Sequence, residues 1–193
     1  MKVVAIIPAR GGSKRLKGKN IYPIWGKPML YWAIKACEDS QYDIDVYVST
    51  EDEEITKIAE ECGAKVIPRP YHLASDFAFK QEVIRYSAKT IKSNRSLEKL
   101  EQPDIWISLQ ANSPEIKGEN IDAGIIALQT FGRDEIISLD SDLMQNAAFR
   151  VFKGDYVFQE DLSTNCGGII CELHDVHNLE DVNMLEKKLK RIK

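Results

Sequence analysis

KVVAIIPARGGSKRLKGKN, residues 2–20, is the stretch on which the reading of this chain turns. Residues 2–7 are a short β-rich apolar run, the pattern of a strand buried on both faces. The run stops at Pro8. Beyond it come two adjacent glycines, a serine and five Lys or Arg, with no acid up to Asn20. Gly11 and Gly12 permit backbone shapes closed to other residues and let a ligand approach the main chain. Successive N–H groups in such a turn form an anion-binding nest, and Ser13 adds a hydroxyl donor. Arg10, Lys14, Arg15, Lys17 and Lys19 bring charge that nothing in the loop neutralises. Two like charges 4 Å apart repel by roughly 4 kcal/mol at an effective dielectric near 20, and by less when solvated. A polyanion removes that penalty, and a nucleoside triphosphate is the obvious small one. A solvated basic loop, or one that touches nucleic acid, is the plain alternative. The residue order matches neither GxxxxGK[ST] nor GxGxxG.

Working outward, strand-like and helix-like runs alternate. Residues 28–38 open with proline and carry apolar groups at helical spacing. Residues 45–50 read as a strand. The stretch after them reads as a helix capped by Thr50, with Ile55, Ile58 and Ala59 on one face and Gly63 as its stop. Residues 64–68 are a short strand, 69–79 irregular, 79–92 helical and 93–103 a polar surface loop. Residues 104–110 are a strand, 118–131 a helix and 134–139 a strand. The segment 140–172 is less regular, with strand candidates at AFRVF, YVFQ and GGIICEL. A closing helix over 178–193 puts Leu179, Val182, Leu185 and Leu189 on one side. This alternation predicts an α/β three-layer sandwich, Rossmann-like, with a mainly parallel sheet. Such sheets bind ligands at the carboxyl ends of their strands. The basic loop and QANSPE (110–115) both follow strands, so they belong to one edge.

Composition narrows the function. The chain has 193 residues, net charge −4 and 44% hydrophobic residues. That fits a single domain with a real core and disfavours a broad nucleic-acid surface. No apolar run has the length of a membrane span, and the first residues lack a signal-peptide pattern, so a cytoplasmic protein is expected. Cys37, Cys62, Cys166 and Cys171 form no CxxC pair and read as small hydrophobes. Trp25, Trp32 and Trp106 read as core, and His72 and His174 as structural or exposed.

IIPARGGSKRLKGKNIYPIWGKPML, residues 6–30, resembles the N-terminal signature of the CMP-sugar synthetases. These cytidylyltransferases activate N-acylneuraminate, related nonulosonic acids and, more distantly, 3-deoxy-manno-octulosonate. Further resemblance lies in VSTEDEEITKIAEECGAKV, in RPYHLASDFAF beside the family's RPxxLAxDxA, in LQANSP beside LQPTSP, in STNCGGII, and in DVHNLEDVNMLE beside DIDTPEDLELAE. The resemblance implies a nucleotide-diphospho-sugar transferase fold. It implies one nucleotidyltransferase domain over 1–193 that joins CTP and an acidic sugar, with Mg²⁺, into a CMP-sugar plus pyrophosphate. It implies that Arg10 and Lys19 serve catalysis. Arg10, Gly11, Gly12, Ser13, Lys19, Asn20, Arg69, Ala78 and Gln110 would bind the nucleotide, and Asp175 and His177 the metal. Neither nucleic acid nor a membrane is implied as a partner.

Four departures bear on this. The closing motif has Asp175 and His177 where the family carries two aspartates. That opens the site to Mn²⁺ and leaves Asn112 to help only through a carbonyl. Glu115 and Ile116 replace a Leu-Arg pair. Lys80 replaces a small hydroxyl residue, either supplying charge or lying on a helix surface. The region around 140–165 is short where the family builds a dimer arm and covers the sugar site, which leaves a homodimer open. Two other readings follow: a nucleotidyltransferase for another sugar or base, and a nucleotide-binding protein without turnover.

Overall fold

The computed structural model describes residues 1–161 and 163–190, without the side chains of 147, 189 and 190. The strand that opens the chain, β1 (Val3–Pro8), lies in the middle of a seven-stranded sheet of order β5-β4-β1-β6-β8-β7-β9. The other strands are β4 (Ile44–Thr50), β5 (Lys65–Pro68), β6 (Ile105–Leu109), β7 (Glu135–Leu139), β8 (Gln145–Lys153) and β9 (Cys166–Ile170). A two-stranded ribbon, β2 (Pro23–Ile24) and β3 (Lys27–Pro28), stands apart. Pairings from β5 through β6 are parallel, and so is β7 with β9. In this sheet, among the described residues, only β8 runs against its neighbours; the β2–β3 ribbon is antiparallel.

β1 is apolar throughout because both faces of the sheet are covered, and its period of two divides it between them. Val3, Ala5 and Ile7 pack with residues of α1 (Met29–Glu38), α2 (Glu53–Glu61) and α4 (Gly118–Thr130). Val4 and Ile6 pack with Ile84, Ala88 and Ile91 of α3 (Lys80–Leu97), and with Trp106 and Phe152. These are the three expected layers. α5 (Leu179–Lys190) closes a smaller cluster, where Val182 and Leu185 meet Leu16, Ile24 and Met29.

Several elements differ from their expected form. Asp52, not Thr50, caps α2: its carboxylate accepts from the N–H groups of Glu54 and Ile55 at 3.0 Å. Thr50 Oγ1 instead accepts from the Asp52 N–H. Ile58 is only half-buried, whereas Ile55 and Ala59 are in the core. α3 continues to Leu97, through the first half of the expected polar loop. It does so because Arg95 is buried and bonded to Asp45, a tertiary pairing invisible to local composition. YVFQ is no strand; Gly154–Phe158 forms a 3₁₀ turn that buries Val157. Leu179 is exposed at the start of α5, and the Leu189 side chain lies outside the described residues. The cysteines are free thiols, Cys37 and Cys171 buried. Burial pushes the Cys37 thiol up. Trp106 is in the core, Trp25 and Trp32 pack against the α5 cluster, and His72 and His174 are exposed.

Candidate active site

The segments leaving the carboxyl ends of β1, β4, β5 and β6 meet at one edge of the sheet, as Pro8, Thr50, Pro68 and Leu109 require. An open cleft of about 510 Å³ lies there. It is lined by Arg10, Ser13, Lys19, Asn20, Arg69, Ala78, Gln110 and His177 of the expected set, with Lys14, Arg15, Asp76, Lys80 and Asn112. Gly11, Gly12, Lys17 and Asp175 are not among its walls. Among the described residues no helix is long and apolar enough to cross a membrane.

The basic loop is built differently from a nest. The Gly11 N–H donates to Glu51 Oε1 at 2.8 Å, and the Ser13 N–H to the Gly11 carbonyl at 2.8 Å. Both amides are therefore already engaged, one by Glu51 and one within the loop. Neither Gly11 nor Gly12 has a positive φ. Gly11 is required for room: a Cβ there would lie 2.1 Å from the Asp52 carboxylate that caps α2. Gly12 faces open space. Leu16 inserts beside Val176 and anchors the loop from its middle. Asn20 is buried and its amide donates to the Arg10 carbonyl at 2.9 Å, closing the loop on itself.

The loop's charge is also partly balanced, contrary to its local sequence. Asp76 binds Arg10 at 2.8 Å and pairs with Lys14 as well. Hydrogen bonds from Lys14 and Arg10 hold the Asp76 carboxyl below its ordinary range. Lys19 has the opposite environment. Burial, then Arg15, lowers its pKa, and Asp175 only partly compensates. Arg69 is buried and its guanidinium donates to the Ser49 carbonyl at 2.5 Å. Its Nε and Glu51 Oε2 are 4.0 Å apart, and neither atom has a hydrogen-bond partner. Arg69 thus lines the cleft while being tied to β4.

The far wall comes from the chain after β9. Val176 and Asn112 exchange two hydrogen bonds: the Val176 N–H to the Asn112 carbonyl at 2.8 Å, and Asn112 Nδ2 to the Val176 carbonyl at 3.2 Å. Asn112 is therefore a clamp. Asp175 accepts from Gln110 Nε2 at 3.0 Å and from Ser113 Oγ. Asn178 caps α5, and Asp181 returns the bond by accepting from the His177 and Asn178 N–H groups. His177 Nδ1 lies 3.4 Å from Arg15 Nη2. A guanidinium only donates, so Nδ1 is the accepting side of this contact and its lone pair is turned toward Arg15. Among the described residues no three or more His, Cys, Asp or Glu gather into a metal-binding group.

Two residues read ambiguously from sequence now have places. Lys80, the first residue of α3, lines the cleft rather than lying on an outer helix surface. Burial pushes its ammonium down to about 8, with Asp175 pulling upward and Arg150 adding to the depression. Glu115 turns away from the cleft and pairs with Lys188 and His174. Glu51, Leu16 and Asp76 were missed as site-building residues. An acid within the RPYHLASDFAF match was the available signal for Asp76.

A parallel α/β sheet with a basic loop after its first strand and a polar cleft at its carboxyl edge defines a nucleotidyltransferase-type architecture. The chain belongs to the Cytidylyltransferase family, whose profile matches residues 4–150. It is 31% identical over 137 residues to N-acylneuraminate cytidylyltransferase A of Danio rerio, covering 71% of this chain and 30% of that protein. It is 37% identical over 98 residues to the pseudaminic acid cytidylyltransferase of Campylobacter jejuni, covering 50% of this chain and 42% of that one. The chain thus spans less than half the length of these curated relatives. In fold it is similar to CMP:2-keto-3-deoxy-manno-octonic acid synthetase complexed with CTP, with TM-score 0.75, 15% identity and full coverage of both chains. It also resembles Rv0371c of Mycobacterium tuberculosis in complex with manganese, with TM-score 0.67, 11% identity, and coverage of 97% of this chain and 99% of that one.

Proposed function

We propose that this protein is a CTP-dependent cytidylyltransferase that joins CTP and an acidic sugar into a CMP-sugar plus pyrophosphate. One observation carries the reading: Arg10, Ser13, Lys14, Arg15, Lys19 and Asn20 converge on one cleft with Gln110. The cations suit a triphosphate, while buried Asn20, fixed through its amide nitrogen, offers its carbonyl side to a base. In the proposed reaction a sugar hydroxyl attacks the α-phosphorus. The new oxygen–phosphorus bond forms as the bond to the β-phosphate bridge breaks, the hydroxyl proton passes to water, and pyrophosphate departs with the bridging oxygen. Arg10 and Lys19 stabilise charge on the departing group, since positioning and electrostatics supply most of the catalysis in such transfers. Arg69, Ala78 and Gln110 shape the nucleotide pocket, and Gly11 lets the loop pass close to the Asp52 cap of α2.

A divalent cation fits through Asp175. Its carboxylate oxygens accept one protein donor each, and a carboxylate has lone pairs left for a hard cation. Mg²⁺ needs only one or two carboxylates when phosphates and water complete its shell. His177 can join through Nδ1 only by giving up its contact with Arg15, and an imidazole ligand suits Mn²⁺ better than Mg²⁺. Such a cation supplies neutralisation of phosphate charge. The deciding experiment titrates CTP, ATP, GTP and UTP by calorimetry with and without Mg²⁺ or Mn²⁺, then follows pyrophosphate release with acidic sugars. Selective CTP binding strengthened by metal, with sugar-dependent release, is the expected result. Equal binding of all four nucleotides would overturn the assignment.

Asp76 gives a second test. It competes with phosphate for Arg10 and Lys14, in pairs that are partly solvated and individually weak. Asp76→Asn is expected to tighten CTP binding about 2–5-fold at low salt, with the gain shrinking as salt screens the loop. Weaker binding by the variant would show that Asp76 organises the loop rather than competing for it.

A further inference from the structure

The segment that carries Asp175 has no secondary structure of its own. Residues 171–178, between β9 and α5, belong to neither helix nor strand, so their backbone groups need partners elsewhere. At one end the Cys171 N–H donates to the Leu139 carbonyl at 2.8 Å, and the Cys171 carbonyl accepts from Asn146 Nδ2 at 2.7 Å. At the other end the His177 and Asn178 N–H groups donate to Asp181. The middle leans on the turn after β6. On one side of Asp175 the Val176 N–H donates to the Asn112 carbonyl at 2.8 Å; on the other the His174 N–H donates to Glu115 Oε2 at 3.1 Å. Asp175 is thus held between two pinned amides, and its carboxylate reaches Gln110 and Ser113 of the same turn.

Glu115 makes its bond to this segment with a side chain, and the bond is charge-assisted. That side chain is only 13% exposed, and its other oxygen accepts from Lys188 Nζ, which ties α5 to the same point. Its own backbone is set by Ile116, which is buried in the core and donates its N–H to the Ser113 carbonyl at 3.2 Å. Glu115 and Lys188 line a separate hollow of about 920 Å³, and neither is a wall of the cleft. Whatever Glu115 does for the reaction it therefore does through His174 and Asp175. Without its bond the backbone before Asp175 is free to turn about the Val176 clamp, and two side-chain contacts alone must place the carboxylate.

We propose that Glu115 is a positioning residue for Asp175: by holding the His174 amide it keeps the carboxylate where a divalent cation would join the triphosphate. This rests on the cytidylyltransferase reading, and its test is a binding measurement that needs no turnover. Calorimetry measures the CTP affinity of the full chain and its variants in EDTA and along a series of Mn²⁺ concentrations. The readout is the Mn²⁺ concentration that gives half of the metal's strengthening of CTP binding. Glu115→Ala should raise it about 10-fold, the lower end for losing an outer partner of a metal ligand, while CTP affinity in EDTA stays within about 2-fold. Glu115→Met keeps the bulk and loses the acceptor; it should behave as Glu115→Ala does, and replaces it if that variant does not fold. Glu115→Gln keeps a carbonyl oxygen for the His174 N–H, so it should stay within about 3-fold of the unaltered protein. A merely structural role would lower the melting temperature and weaken CTP equally with and without metal, and that result would overturn the proposal. So would a Glu115→Gln as impaired as Glu115→Ala, since charge and not the hydrogen bond would then be the cause, or CTP binding by the unaltered protein that ignores Mn²⁺. Failure of the cytidylyltransferase reading would show separately, as equal binding of CTP, ATP, GTP and UTP or absence of pyrophosphate release in the unaltered protein.

Discussion

Replacing Lys19 with alanine is expected to lower kcat/KM for CTP about 10²–10³-fold, the loss typical of one preorganised charge at a developing anion. The side chain lines the cleft from the 3₁₀ turn Lys19–Ile21, whose backbone is set by the Lys19 N–H to Leu16 carbonyl bond at 3.1 Å and by Gly18 in the left-handed conformation. Alanine leaves that turn intact, so the variant should keep its melting temperature. The ammonium is held against burial and the repulsion of Arg15 and Arg10. A bound triphosphate reverses that environment and raises the depressed pKa. CTP binding should therefore take up protons at alkaline pH and weaken as pH rises. Steady-state kinetics with CTP varied, and calorimetry in buffers of different ionisation enthalpy, measure the two effects. Unchanged kinetics would remove Lys19 from the machinery.

Arg95→Met is expected to destabilise the fold by about 3 kcal/mol, the lower end for breaking a buried ion pair. The Arg95 side chain is only 5% exposed and pairs with Asp45 at 2.6 Å. Its Nε also donates to the Glu101 carbonyl at 2.6 Å, pinning the chain that leaves α3. Methionine fills much of the volume but orphans that carbonyl, while Lys2, 3.0 Å from Asp45, keeps the carboxylate from being left alone. Burial alone would raise the Asp45 pKa; hydrogen bonds from Lys2 and Arg95 outweigh it and hold the group below its ordinary 3.8. A depressed carboxylate contributes stability that is present above its unfolded pKa and is lost as pH falls through the folded value. The gap between the protein and Arg95→Met should therefore be widest near neutrality and narrow below about pH 4. Urea unfolding at pH 7 and pH 3 measures it. A gap that widens in acid would show that the Asp45 pair is not its source.

The mainly parallel sheet was legible because its evidence is local. β1 must be apolar on both faces, and the breaks at Pro8, Gly63 and Leu109 recur with strand and helix periodicity. Part of the cleft was legible too: the resemblance pointed to Arg10, Ser13, Lys19 and Asn20, and all four line it. What could not be read were pairings between residues far apart in the chain. Arg95 looked like part of a polar loop until Asp45, from β4, reached it. The basic loop looked unbalanced until Asp76 crossed to Arg10, and its glycines looked conformational until Asp52 took up the room beside Gly11. Residue types and periodicity by themselves determined the layered α/β fold and the sheet edge on which the basic loop lies. Only the tertiary structure decided which amides and charges remain for an anion and which way Lys80, Glu115 and His177 face, because burial and partner choice depend on distances that a linear order of residues does not contain.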